Sequence, residues 1–542
     1  MPQNFIRGDD PGQGYLLPPD AREWLPPRHL AWELLALAKE MDLASFTSWY
    51  RADGQGRPAY HPAMMVTLAG YCFCKGIRSS RAIEMATFDD VGARVICANL
   101  HPDHSTIHRF VTRHEQPVKG LLVQSVVACA REGLVSVDVV AGDGTKVRAS
   151  ASMAANVTLG ELDLQIGELE RLVAAEVDAW IAQARAEDAA QDALTGDGGG
   201  AGRPGGPAGG GPGTLARAAG TLARRQRARA RLAAAEEQRQ QDAEAERAAK
   251  ITGLRDRAAR CQASAGAEAA AADAKAADYQ RRAAAKAAAG SGKRPDGRAP
   301  AGAAHSSHVA RARRAAERAA AALADVTGPA PAAAGKPLKI NTTDPSSKVM
   351  QAKNGGFGQL HNIQALAGKH QVIYAIGAHP SPADVAALHP LLGKGRATLD
   401  AAGIGDPIGT ALFDAGYASD ANFTADCQAE LYVAVTREAR QTGRLDDGKK
   451  PKTRKDSWQQ MAARLDTPEG KALYRQRAAI IEPVFAQLFA RLGTHLSYRD
   501  EKVDLELHLW AASHNLLKAI SARRRRARQQ RTDQAAVPAL AT

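Results

Sequence analysis

The stretch Arg475-Gln476-Arg477-Ala478-Ala479-Ile480-Ile481-Glu482-Pro483-Val484-Phe485 reads as an amphipathic helix with two anomalies. Ile481, Val484, Phe485 and Leu488 recur at i, i+3, i+4 and i+7, which makes one buried face, and Glu482 lies at its margin. A carboxylate in that place needs a partner. Pro483 takes away an interior backbone hydrogen bond and crowds the preceding turn, at a cost of about 3 kcal/mol. Local rules broken together point to function.

Two more carboxylates occupy comparable places. Val135-Ser136-Val137-Asp138-Val139-Val140-Ala141-Gly142-Asp143-Gly144-Thr145-Lys146-Val147 has the composition of a strand, yet Asp143 stands between two glycines that weaken it, so a close approach is expected there. Pro407-Ile408-Gly409-Thr410-Ala411-Leu412-Phe413-Asp414-Ala415-Gly416-Tyr417 is a second apolar strand that ends in an aspartate, with Ser419 placed to cap the next helix. Carboxylates at strand ends converge readily in an open α/β sheet. Asp138 and Asp344 do not join this set. Asp138 has no motif around it, and Asp344 reads as a turn residue in Thr343-Asp344-Pro345-Ser346-Ser347.

These motifs resemble the DDE-type transposases of bacterial insertion sequences, whose catalytic core is similar to RNase H. The likeness is carried by Asp143-Gly144-Thr145-Lys146-Val147 with Ala149-Ser150, by Phe413-Asp414-Ala415-Gly416-Tyr417 with Ser419 and Asn422, and by Glu482-Pro483-Val484-Phe485. Asn341-Thr342-Thr343-Asp344-Pro345 through Met350, Asn362-Ile363-Gln364 and His514-Asn515-Leu516-Leu517-Lys518 extend it. It covers roughly residues 10–155 and 336–522. The resemblance implies an α/β fold: an RNase H-like mixed-sheet core over 126–158 and 336–522, an α-helical DNA-binding and dimerisation domain over 1–125, and a helical insertion over 159–335.

It also implies a site. Asp143, Asp414 and Glu482 would be the catalytic acids and the ligands of two Mg²⁺ or Mn²⁺ ions, which in such sites stand about 3.5–4 Å apart. Hard cations of this kind take carboxylate, water and phosphate oxygens. Tyr474 and Arg477 resemble the tyrosine and arginine that related enzymes place before the glutamate to contact phosphate. The family often carries lysine seven residues after the glutamate, where this chain has Phe489. Arg491 is then the nearest cation, and a guanidinium binds phosphate well. Phe489 reads as part of the buried stripe with Phe485 and Leu488.

Composition agrees and excludes alternatives. Lys+Arg total 71 against Asp+Glu 58, a net charge of +13, as expected of a partner for nucleic acid. No apolar run is long enough to span a membrane, and Met1–Asp10 has no signal-peptide core, so a soluble protein is expected, and the resemblance implies a bacterial cytoplasmic, nucleoid-associated one. The six cysteines, at 72, 74, 97, 129, 261 and 427, form no CxxC pair, which argues against zinc and against a disulfide framework. His101, His104, His108 and His114 lack companion ligands at zinc spacing and read as surface or DNA-facing residues.

The amino-terminal part is expected to be helical near 29–40, 62–76, 79–88 and 90–98, with Pro62 in the first turn of its helix. A short helix over 102–114, capped by Asp103 or Ser105, would expose Thr106, Arg109 and Arg113, either to a DNA groove or simply to solvent. Within the insertion, helices are expected over 161–193, 215–288 with breaks near Gly253 and Gly266, and 306–325, joined by a glycine-rich loop over 196–213. Their alanine-rich faces suit a hairpin or loose coiled coil with a solvated charged surface, and gripping DNA or a second protomer is the lesser alternative.

Beyond the insertion, Leu360–Leu366 and Gln371–Gly377 should form a hairpin, Pro382–Leu392 a helix and Glu430–Thr436 an edge strand. Residues 438–470 read as basic and irregular, 471–491 as the glutamate helix, 503–521 as a packed helix and 523–542 as a disordered basic tail. The function implied is that of a transposase acting as a homodimer on paired DNA ends: it binds terminal inverted repeats, cleaves the ends and joins the 3′-OH to target DNA. A repurposed DNA-binding protein that keeps the fold, or a nuclease that only hydrolyses, is the alternative.

Overall fold

A computed structural model describes residues 23–50, 59–194, 212–289, 295, 297–328, 336–352, 355–435 and 456–536. Two compact units result, one made by the chain up to Asn156 and again from Asn341, the other by Val157–Ile340.

The first unit begins with helices α1 (Leu30–Glu40), α2 (Ala44–Thr47), α3 (Pro62–Cys74), α4 (Ser80–Asp89), α5 (Val91–Ile96), α6 (His104–Arg113) and α7 (Glu115–Arg131). Their starts follow local chemistry. Pro62 opens α3, Ser79 caps α4 through Ala82 N, and Asp103 rather than Ser105 caps α6 through Thr106 N. In α6 only Ile107, Phe110 and Val111 are buried, which fixes its inner face.

The sheet that follows is mixed. Strand β1 (Val139–Arg148) pairs antiparallel with β5 (Phe357–Gly368), whose other edge carries β6 (Ile373–His379) and β4 (Lys348–Gln351). On its far side β1 runs parallel to β7 (Thr410–Phe413), and β7 parallel to β8 (Glu430–Val433) at the sheet edge. The β5–β6 hairpin and the β8 edge strand match the sequence expectation. Two-residue strands β2 (Asn156–Val157) and β3 (Ile340–Asn341) mark where the chain leaves this unit and re-enters it.

Around the sheet stand α11 (Leu388–Ala401), the short α12 (Asp420–Thr424), α13 (Asp456–Asp466), α14 (Pro468–Tyr474), α15 (Gln476–Leu492) and α16 (Val503–Ala536). Helix α15 lies on β1 and β5, while α16 packs against α7, α3 and β6 and so ties the amino-terminal helices to the sheet. Pro483 is accommodated inside α15.

Several boundaries depart from expectation. Residues 135–138 precede β1 instead of belonging to it, and the helix expected from Pro382 begins at Leu388 after a 3₁₀ turn over Val385–Ala387. The stretch expected to be irregular over 438–470 is helical from Asp456, where Thr467 caps α14 and Pro468 opens it; residues 438–455 lie outside the described part. The tail expected to be disordered continues α16 as far as Ala536. Arginine, alanine and glutamine are good helix formers, and the arginines find partners. Arg523 pairs with Glu40 and Glu132, Arg524 with Glu33 and Arg526 with Glu132.

The second unit is built from α8 (Leu159–Leu194), α9 (Pro212–Ala288) and α10 (Ser307–Thr327), with α8 and α10 both packed on α9. Its core is small: Val157, Leu162, Ile166, Ala228, Leu232 and Ile340. Helix α9 passes Gly253 and Gly266 without a break, because one glycine costs a helix only about 1 kcal/mol relative to alanine. The glycine-rich loop expected over 196–213 falls outside the described residues except for its last two positions, which open α9.

Candidate active site

Asp143 lies in the middle of β1, opposite Ala365 of β5. On the other side, Ala141 pairs with Leu412 in parallel register. Asp414, just past the end of β7, follows Leu412 by two residues as Asp143 follows Ala141, so the parallel register runs toward both acids. Asp414 caps the turn Ala415–Tyr417, its Oδ1 accepting from Gly416 N at 3.0 Å, and Asp143 Oδ1 accepts from Gly144 N at 2.7 Å.

The glycines beside Asp143 have steric causes. A Cβ on Gly142 would collide with the Phe413 ring of β7, and one on Gly144 would meet Gln364 and stand 2.8 Å from Asp384 Oδ1. The face of β1 opposite the Asp143 side chain is thus closely approached on either side of the acidic residue, as its sequence suggests.

Glu482 reaches the site from α15 through Arg477. The Arg477 guanidinium lies 3.6 Å from Asp143 Oδ2 and 4.0 Å from Glu482 Oε1, and its side chain is only 3 % exposed. Tyr474, expected to touch phosphate with Arg477, is buried at the end of α14. Glu482 itself is 57 % exposed, which leaves its carboxylate room to turn.

Sequence reasoning passed over Asp384. Its Oδ1 accepts from Asn362 Nδ2 and Gln364 Nε2, each at 2.7 Å, with Lys146 Nζ 3.5 Å away. A Cβ on Gly416 would sit 3.1 Å from Asp414 Oδ1 and 3.4 Å from Asp384 Oδ2, so the two carboxylates border one gap. The buried Tyr417 hydroxyl donates to Gln364 Oε1, and burial with the charges of Asp143, Asp384 and Asp414 pushes its pKa up. The only signal in the sequence was Asn362-Ile363-Gln364, a polar pair on a buried strand that requires a partner.

Phe489, two turns after Glu482, is half-buried and stacks on Phe485 with ring centroids 6.0 Å apart. Phe489→Lys should therefore destabilise the protein by about 1–2 kcal/mol through lost apolar burial. Urea unfolding measures this, and unchanged stability together with faster DNA cleavage would contradict it. Arg491 does not substitute for the missing lysine at this site. It follows Glu482 by nine residues, about two and a half helical turns, which turns it to the opposite face of α15.

Away from the acids, Arg109 and Arg113 are exposed on α6 and border a cleft of about 850 Å³ together with Tyr50, Tyr60 and Thr106. Arg113 also lies over the Trp49 ring. The histidines are not a group. His104 meets Glu84 at 2.8 Å, His101 stacks on Phe88, and His114 is buried among Phe46, Trp49, Tyr50 and Phe110, not at the surface as expected. Asp344 is fully buried and pairs with His361 at 2.8 Å, a structural pair rather than a ligand. Asp138 is exposed and accepts from Ser136 Oγ at 3.3 Å.

By donor type, Asp143, Asp414 and Glu482 suit a hard divalent cation. Among the described residues no three His, Cys, Asp or Glu side chains are drawn together closely enough to hold one, and Arg477 supplies the positive charge facing Asp143 and Glu482. No described helix is long and apolar enough to cross a membrane.

Two family models match the chain, one described as a transposase domain (DUF772) over residues 19–113 and one as a transposase DDE domain over residues 436–520. Both descriptions support a DDE-type transposase of an insertion sequence, and a DDE domain implies an RNase H-like core, with which the mixed sheet agrees. The second match contains Glu482, and Asp143 and Asp414 lie outside both. The matched domains support a DNA transposase, an enzyme of the type that cleaves and joins DNA. No curated protein and no solved structure matches the chain.

Proposed function

We propose that this transposase binds the terminal inverted repeats of its element, hydrolyses the DNA at the element's ends and joins the freed 3′-OH to target DNA, with Asp143, Asp414 and Glu482 as the catalytic acids. The observation that supports this reading is the Arg477 guanidinium lying 3.6 Å from Asp143 and 4.0 Å from Glu482, with the parallel β1–β7 register running toward Asp143 and Asp414. Two Mg²⁺ or Mn²⁺ ions held by these three carboxylates would supply activation of the attacking oxygen and stabilisation of the leaving oxygen.

The chain's own residues have separable parts in this. Arg477, the buried cation nearest Asp143 and Glu482, keeps their carboxylates from repelling one another and is placed to meet a scissile phosphate when it arrives. Asn362, Gln364 and Lys146 hold Asp384 at the rim of Asp414. The helical part over 1–125, with Arg109 and Arg113 on its exposed α6 face, would grip the ends and pair two copies of the chain. The insertion over 159–335 would take no part in the chemistry.

Footprinting on the DNA that flanks the coding region tests the reading. Protection of a repeat found in inverted orientation at both flanks, weakened when Arg109 and Arg113 are both changed to Gln, is the expected result. Equal affinity for scrambled duplexes of the same length would contradict it.

A further inference from the structure

On the face of α15 turned away from Glu482 lies a second polar cavity, of about 410 Å³. The β5–β6 turn contributes Lys369, His370 and Gln371, α15 contributes Gln487 and Arg491, and α16 contributes His514, Lys518 and Arg525. No carboxylate is among the residues that line it.

The cationic groups there are poorly balanced. Arg491 Nε and Nη2 are buried without a hydrogen-bond partner among the described residues, and burial lowers the Arg491 pKa with only the Cys74 thiol opposing. Lys518 gives its Nζ to Gln371 Oε1 at 2.6 Å, a neutral acceptor, and burial and then the Arg525 charge lower its pKa. His514 bonds the Gln371 carbonyl at 2.8 Å and is held neutral by burial, its pKa brought down to about 3. Lys369 and Arg525 stand exposed at the mouth. Three elements therefore converge cationic side chains on one cavity that offers no carboxylate of its own, and a buried donor left without an acceptor is costly.

We propose that this cavity is an anion site that takes a backbone phosphate of DNA away from the bond being cut. Arg491 offers a forked guanidinium to the phosphate oxygens, Lys518 adds charge at depth, and Lys369 and Arg525 receive the adjoining backbone. Because α15 separates the cavity from Glu482, the duplex it holds is engaged whether or not the catalytic acids act. The inference rests on the proposed reading only in taking DNA as the ligand.

The test uses the full chain with Glu482→Gln, so that binding is read without cleavage. Fluorescence anisotropy with a labelled duplex is followed from 50 to 300 mM KCl, with and without Lys369→Gln and Arg525→Gln together, both exposed positions that leave the core intact. Loss of two phosphate contacts should lower the slope of log K against log salt by about 2, with affinity down about tenfold at 150 mM. Arg491→Met in the same background, checked for an unchanged melting temperature, should show a loss of the same sign. An unchanged slope and affinity in folded variants would overturn the proposal. So would phosphate or pyrophosphate raising the melting temperature of the parent and not of the double variant while DNA affinity stays equal, since the site would then take a free anion. Cleavage by the otherwise unchanged chain is assayed separately, so failure here leaves the assignment of the acids untouched.

Discussion

Changing Asp143 to Asn, Asp414 to Asn or Glu482 to Gln should each lower DNA end cleavage by roughly a thousandfold or more, about 4 kcal/mol of transition-state stabilisation. Each substitution keeps the size and most of the hydrogen-bonding ability of the side chain but removes the charge that two divalent ions require. DNA binding should persist or tighten, because less negative charge faces the phosphates. Gel-based cleavage and anisotropy on the same preparations separate the two effects. Cleavage within tenfold of the parent in any one variant would remove that residue from the site.

The second large effect concerns stability. Asp344 is fully buried, its Oδ2 is 2.8 Å from His361 Nε2, and its Oδ1 accepts from Asp500 N at 2.9 Å and Ser346 Oγ at 3.0 Å. Asp500 has φ of 55°, a left-handed conformation that this bond helps to hold. His361 lies opposite Val147 on β1, so the pair braces the strand that carries Asp143. Asp344→Ala should cost about 3–5 kcal/mol, the usual result of removing one partner from a buried pair.

The pH dependence has a definite sign. Burial would raise the Asp344 pKa, but the bond to His361, its charge and the Asp500 N–H together hold it below the usual carboxylate value. The folded state therefore binds the proton less tightly than the unfolded chain. The stabilisation is fully present above the unfolded value of about 3.9 and is lost as the pH falls through the lower folded value. Unfolding curves of the parent and of Asp344→Asn should converge in acid. A difference that stays constant down to pH 2 would contradict this.

What could be read from the sequence was what local chemistry decides. Strand composition found β1 and β7, the proline and caps found α3, α6 and α12, and the glycines around Asp143 foretold close approaches that prove to be Phe413, Gln364 and Asp384. What escaped depends on partners distant in the chain. Arg477 could be read as a phosphate ligand, yet only packing of α15 on β1 turns it toward Asp143. The fate of Arg523–Arg526 depended on Glu33, Glu40 and Glu132, and that of Arg491 on a helical phase that nine residues reverse. Asp384 carries no motif of its own, so its place beside Asp414 emerges only from the sheet.

Three carboxylates that direct a hydroxyl or water at a DNA phosphorus would leave no covalent protein intermediate. Mapping the termini left when the purified protein cuts an end-bearing duplex in Mg²⁺ tests this most directly. A 3′-OH and a 5′-phosphate are expected, with no protein attached to either strand at any time point. A 3′-phosphate, or DNA linked covalently to a tyrosine or serine of the chain, would contradict it.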